Sequence, residues 1–147
     1  MLWLKGFIAL SVAKFPEWEV LERDWGTESV FTVPHLYTMK KIMMYEGKEG
    51  GLQYHRIKDE AGYMIAGAMA VTYEVAPGVL HTKTIRPNDI FHFPAGSVHK
   101  ALALTDCVYI ECSNPVFNDR VHCEEAFGID KEEGGLPSTK PWEIELR

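Results

Sequence analysis

Gly51-Leu52-Gln53-Tyr54-His55-Arg56-Ile57-Lys58-Asp59-Glu60-Ala61-Gly62-Tyr63-Met64-Ile65-Ala66-Gly67 reads as two short strands joined at Lys58-Asp59. Gln53 and His55, at i and i+2, share one face of a strand with roughly 6.6 Å of rise between them. Glu60 returns to that face after the turn. His99 follows the turn Pro94-Ala95-Gly96 and closes the set from a distant part of the chain. Together these residues offer two imidazole nitrogens, one carboxylate oxygen and one amide oxygen, a mixed shell that suits a divalent transition metal. Donors drawn from separate strands, with coordination positions left over, describe a reactive site better than a structural clamp. Gln53 and His55 also fit a hydrogen-bonded core pair. The joint spacing favours the metal.

Outward from this stretch the chain is a succession of strands. Runs rich in Val, Ile, Tyr, Phe and Thr predict strands at Ser29–Val33, Leu36–Tyr45, Leu52–Arg56, Ala61–Ala66, Ala68–Val75, Val79–Ile85, Ile90–Phe93, Ser97–Leu104 and Cys107–Ser113. Turn chemistry separates them at Glu49-Gly50-Gly51, Lys58-Asp59, Ala76-Pro77-Gly78, Arg86-Pro87-Asn88-Asp89 and Pro94-Ala95-Gly96. So many short strands predict an all-β sandwich or barrel of antiparallel sheets. Helical turns are expected only at Glu17–Arg23 and Asp119–Phe127. From Asp130 the tail reads as an extended arm, and the alternation of Trp142, Ile144 and Leu146 suggests a terminal strand laid on its own barrel or on a neighbour.

At 147 residues the chain is expected to form one domain, with a barrel core at about 25–129, an N-terminal extension at 1–24 and a C-terminal arm at 130–147. A hydrophobic content of 46% and a charged content of 24% are those of an ordinary soluble globule. The net charge of −6 argues against nucleic acid or an anionic membrane as the main partner. Cys107, Cys112 and Cys123 lack zinc-type spacing, which fits reduced thiols and a cytoplasmic location. The apolar stretch Met1 to Ala13 is too short to span a bilayer and fits a signal peptide poorly. It is expected to form an extra edge strand or a short helix over one end of the core. Its Leu2, Trp3, Leu4, Phe7 and Ile8 would leave an exposed apolar patch on a monomer.

The ordered residues resemble the cupin superfamily. The usual first cupin motif, G-x5-H-x-H-x(3,4)-E-x6-G, is matched by His55, Glu60 and Gly67, with Gln53 in place of its first histidine. The second, G-x5-P-x-G-x2-H, is matched by Pro94, Gly96 and His99, with Asn88 for its leading glycine, a mild change because Asn tolerates positive φ. The Gln-x-His-x4-Glu run with a later histidine is similar to the zinc set of cupin-type phosphomannose isomerases and of the domain fused to mannose-1-phosphate guanylyltransferases. Trp25-Gly26-Thr27-Glu28 resembles the opening of small sugar-handling cupins, and Lys41 sits near a lysine usual there. Ile110 to Ser113 and Asn118 to Gly128 resemble their closing segment. His122 and Ile129 stand where that segment carries arginines, which weakens the case for a phosphorylated substrate.

The resemblance implies a double-stranded β-helix, or jelly-roll, with one metal inside, zinc first among the candidates and iron, manganese or nickel also suited to the donors. It also implies a homodimer. The implied activity is a sugar or sugar-phosphate isomerase interconverting aldose and ketose, of the mannose-6-phosphate isomerase type. Such a reaction needs a Lewis acid, a base and a grip on the substrate. The metal on Gln53, His55, Glu60 and His99 is the first; Glu111 or His81 is the candidate base; Lys41, Arg56, Lys58 and Arg86 are candidate anion contacts. Competing expectations are a cupin dioxygenase or lyase using iron or manganese, and a non-catalytic sugar-binding cupin.

Overall fold

Side chains that alternate between core and solvent commit this chain to sheets, and the computed structural model, which describes residues 12–131 and 135–147, bears this out. Five of its strands are short or lie outside the expected set: β1 (Glu19–Arg23), β4 (Gln53–Tyr54), β11 (Val116–Phe117), β12 (Val121–His122) and β13 (Glu145–Leu146). The others fall on or close to the expected runs: β2 (Gly26–Val33), β3 (Tyr37–Met44), β5 (Glu60–Ala66), β6 (Met69–Ala76), β7 (Val79–Ile85), β8 (Ile90–Phe93), β9 (His99–Ala103) and β10 (Cys107–Ser113).

All pairings are antiparallel. One sheet has six strands in the order β1-β2-β3-β10-β5-β8, and a second has five in the order β12-β4-β9-β6-β7. The late strand β10 lies between β3 and β5, so chain order and spatial order diverge as a jelly roll requires. The inward faces enclose Ile42, Met44, Met64, Met69, Val71 and Tyr109, all buried, with Trp25, Phe91 and Phe93 packed against them. This apolar plug closes one region of the barrel and leaves the remainder of its interior to polar residues.

Two motif positions have backbone reasons. Asn88 adopts φ 77°, the left-handed turn conformation that its motif usually assigns to glycine. Gly67 has φ 76°, and a Cβ there would collide with the carbonyl of Asp106.

Several expectations are corrected. Glu17–Arg23 does not turn into helix: Glu19–Arg23 is an edge strand paired with β2, because Leu21 and Arg23 then face inward beside Glu28 and Gly26. Asp119–Phe127 holds only β12 and a 3-10 turn at Glu124–Phe127, which ends at Gly128 with φ 64°. Leu52–Arg56 is strand only at Gln53–Tyr54. By contrast the C-terminal arm ends as expected in a short strand, β13, which pairs with β11 of its own chain. The apolar N-terminal residues Leu2 to Ile8 lie outside the described residues.

Candidate metal centre and its cavity

The three strongest ligand candidates come together at one end of the barrel interior. His55 follows β4, Glu60 opens β5 and His99 opens β9, with β4 and β9 paired through Gln53 and His99. His55, Glu60 and His99 are 7%, 5% and 6% exposed, so the cluster is out of bulk water. Glu60 Oε1 lies 3.3 Å from His55 Nε2 and 3.2 Å from His99 Nε2. One donor atom from each residue falls within 4.8 Å of the other two.

What turns this proximity into a metal-binding geometry is the other nitrogen of each ring. His55 Nδ1–H donates to the backbone carbonyl of Asp119, and His99 Nδ1–H donates to that of Ser97 at 3.0 Å. A carbonyl accepts only, so it fixes the proton on Nδ1 and leaves the Nε2 lone pair facing Glu60. Two lone pairs and a carboxylate oxygen converging on one point repel one another unless a cation lies among them. The N/O composition fits one divalent ion of the zinc, iron, manganese or nickel kind. Gln53 is half-buried, pairs with His99 across the β4–β9 ladder and lines the same cavity.

The supporting shell is equally specific. Asp119 is buried, and its carboxylate accepts the backbone N–H groups of Arg56 at 2.9 Å, Ile57 at 2.7 Å and Lys58 at 2.8 Å. These bonds hold the β4–β5 loop that carries His55 and leads into Glu60. Burial works against the Asp119 charge, but the three N–H donors outweigh it and hold the carboxyl below its usual range. Phe93 stacks on the His99 ring at 4.0 Å between centroids and fixes its plane.

Beyond the cluster an alternating chain of charges crosses the cavity. Lys58 Nζ bonds Glu60 Oε2 and, at 3.1 Å, Glu111 Oε1. Lys40 Nζ lies 3.9 Å from the same Glu111 oxygen and 3.3 Å from Glu28 Oε1, and Arg23 closes the series on Glu28 Oε2 at 2.8 Å. Burial disfavours the Lys58 ammonium, yet Glu111 and Glu60 more than compensate, so it stays protonated above the ordinary lysine range. Burial likewise opposes the Glu60 carboxylate, and the Lys58 ammonium outweighs it, holding the carboxyl well below the usual range. The cavity these groups line has a volume of about 470 Å³, with Ala101 among its lining residues.

The structure divides the remaining candidates. Lys58 and Glu111 line the cavity. His81 does not: it is exposed on the edge strand β7, opposite Tyr73. Lys41 points to solvent, because Thr38, Ile42 and Met44 set the inward face of β3 and the alternation assigns Lys40, not Lys41, to it. Arg56 lies outside the cavity, near Asp119 and bonded to the Thr139 carbonyl at 2.8 Å. Arg86 is exposed in the β7–β8 turn, which Asp89 closes by accepting its N–H. Lys40, Glu28, Arg23 and the bracing role of Asp119 escaped the sequence reading.

No protein-family model and no curated protein matches the chain. Solved structures match its fold. Oxalate decarboxylase from Bacillus subtilis shares 20% identity and a TM-score of 0.64, over 88% of this chain and 39% of that one. The capsular polysaccharide assembling protein CapF from Staphylococcus aureus shares 19% identity and a TM-score of 0.59, over 69% of this chain and 29% of that one. KdgF from Halomonas sp. shares 21% identity and a TM-score of 0.57, over 65% of this chain and 85% of that one. The chain thus spans well under half the length of the oxalate decarboxylase and CapF chains. With two antiparallel sheets closed around a buried His-Glu-His group, this chain has the cupin fold.

Proposed function

We propose that this chain is a metal-dependent sugar isomerase of the aldose–ketose type. The observation that carries the reading is the adjacency of a buried acid–base pair, Glu111 and Lys58, to the His55, Glu60 and His99 cluster. These three residues, with Gln53 as a fourth donor, would hold one divalent ion, zinc first. Once bound, that ion supplies Lewis-acid polarisation of a substrate carbonyl. Glu111 takes the proton from the carbon next to the carbonyl and returns it to the carbonyl carbon, while the hydroxyl proton of the first carbon passes to the carbonyl oxygen, so one C–H and one O–H bond break, one of each forms, and the sugar undergoes no net oxidation. Lys58, kept protonated by its two carboxylates, faces the negative charge that develops on the substrate oxygens.

Of the cations that line the cavity, Arg23, Lys40, Lys58 and Lys100 are matched to carboxylates, whereas Lys48, Arg120 and Lys131 make no ion pair among the described residues, so the lining suits either a neutral sugar or a sugar phosphate. No helix among the described residues is long and apolar enough to cross a membrane. A cytoplasmic enzyme that works as a homodimer on a small molecule is the proposed setting.

A second reading is a lyase, a decarboxylase of small dicarboxylates, and the fold likeness to oxalate decarboxylase favours it. One experiment separates the two. Metal-loaded protein is incubated in deuterated water with neutral aldoses and ketoses, and in parallel with small dicarboxylates. Deuterium entering C1 or C2 of a sugar, and lost in Glu111→Gln, supports the isomerase. Carbon dioxide release from a dicarboxylate without sugar exchange supports the lyase and rejects the isomerase.

A further inference from the structure

The isomerisation proposed above moves two protons, and only one of them has a carrier. Glu111 serves the carbons. The hydroxyl proton must still pass between two neighbouring substrate oxygens, and the group that moves it has to donate one proton while it accepts another. An ionised carboxylate only accepts, and ammonium and guanidinium groups only donate. That removes every member of the charge chain from Glu60 to Arg23. The rings of His55 and His99 have Nδ1 committed to backbone carbonyls. His122 has Nε2 at 2.8 Å from the Leu136 carbonyl and Nδ1 at 3.3 Å from Glu124 Oε1. A hydroxyl meets the requirement through a single oxygen. Among the described residues that line the cavity, Tyr109 alone carries one.

The fold places Tyr109 for the task. β10 turns Tyr109 and Glu111 inward, so the phenol and the proposed base stand on one face with roughly 6.8 Å of rise between them. Phe91 meets the Tyr109 ring edge-on, with centroids 5.8 Å apart, and fixes its plane. Gly62 makes room for that brace: a Cβ there would fall 2.0 Å from Phe91 Cζ. Tyr109 is 8% exposed, yet its hydroxyl has only the Met44 sulfur as partner, at 3.8 Å. A thioether is a weak acceptor, so a buried hydroxyl is held at the cavity wall almost without a partner of its own.

We propose, resting on the isomerase reading, that the Tyr109 hydroxyl is the catalytic group that relays the proton between the two substrate oxygens. It donates its proton to the carbonyl oxygen and takes the proton of the neighbouring hydroxyl. One O–H bond breaks and one forms on each partner, and the phenol ends as it began. Burial, with the carboxylates of Glu111 and Glu60 adding to it, pushes the phenol well above its usual range. A phenolate is therefore not formed along the way, and the two transfers are concerted.

The test compares zinc-loaded wild type with Tyr109→Phe, which keeps the ring and removes only the oxygen, on neutral and phosphorylated aldoses in deuterated water. Proton NMR follows two quantities, exchange at C2 of the unconverted aldose and formation of ketose. Conversion in Tyr109→Phe is expected to fall about 100-fold or more, the ordinary contribution of a positioned acid–base group. Exchange should fall far less, because Glu111 still abstracts the C2 proton, Lys58 still faces the charge that appears, and the enediolate returns to aldose. The ratio of exchange to conversion therefore rises about ten-fold or more. Melting temperature and zinc stoichiometry should match the wild type, since Tyr109→Phe gives up only the weak bond to Met44. Conversion within about three-fold of wild type overturns the proposal. So does a fall in which exchange and conversion drop together, which would mark Tyr109 as structural. A wild type that converts no aldose rejects the isomerase reading itself and takes the relay with it.

Discussion

Asp119→Ala should damage both stability and metal affinity, although Asp119 contributes no side-chain ligand. Its carboxylate accepts three backbone N–H groups at 2.7 to 2.9 Å, and its side chain is 0% exposed. Charge-assisted hydrogen bonds contribute about 1.5–3 kcal/mol each. The three share one carboxylate and water enters the vacated space, so the expected loss is about 3–5 kcal/mol rather than their sum. Because the freed loop carries His55, whose tautomer is set by the Asp119 carbonyl, zinc affinity should fall about 10- to 100-fold. The pH dependence carries a second signature. The folded pKa of Asp119 lies below its unfolded value, so its contribution is complete above the ordinary carboxylate range near about 4 and is lost as the pH falls through the lowered value. The variant should lack that part of the acid sensitivity. Urea unfolding of the metal-free protein from pH 2.5 to 7, with zinc titration at pH 7, measures both. A loss below about 1 kcal/mol at neutral pH with zinc affinity unchanged would refute the bracing role.

Three further outcomes follow from the same geometry. Lys58→Met leaves Glu60 and Glu111 buried without their cation and should cost about 3–5 kcal/mol at pH 7. The deficit against wild type should shrink as the pH falls and the two stranded carboxyls take up protons, which parallel denaturant titrations at pH 7 and pH 4 would show. Gln53→Ala should weaken metal binding less than His55→Ala, because it removes a neutral oxygen rather than one of two imidazoles; calorimetric titration gives the ranking directly. Exchange of deuterium into sugar should vanish in Glu111→Gln but stay within about two-fold of wild type in His81→Ala and Arg86→Ala, whose parent residues lie outside the cavity.

The candidate ligands His55, Glu60 and His99 were legible from their spacing about the Lys58-Asp59 and Pro94-Ala95-Gly96 turns, and the fold brings their donor atoms within 4.8 Å of one another. Lys40 and Lys41 show the limit. Two adjacent lysines look alike until the inward parity of β3, fixed by Ile42 and Met44, assigns Lys40 to the cavity and Lys41 to solvent. His81 sits in a correctly placed strand, but β7 is the end strand of its sheet, and strand order is a tertiary property. The charge chain from Glu60 to Arg23 is assembled from β5, the β4–β5 loop, β10, β3, β2 and β1. Nothing local in any of those segments announces its neighbours. Glu19–Arg23 likewise suits a helical turn or a strand, and pairing with β2 decides it.

The claim on which everything else depends is that His55, Glu60 and His99 hold one divalent ion. Protein stripped with chelator and titrated with zinc at about pH 7.5 should bind one ion per chain. Its melting temperature should rise on loading, and His99→Ala should lose both effects while remaining folded. A stripped wild type that binds no zinc, manganese or iron at micromolar concentration, or a His99→Ala variant that binds as the wild type does, would contradict the site.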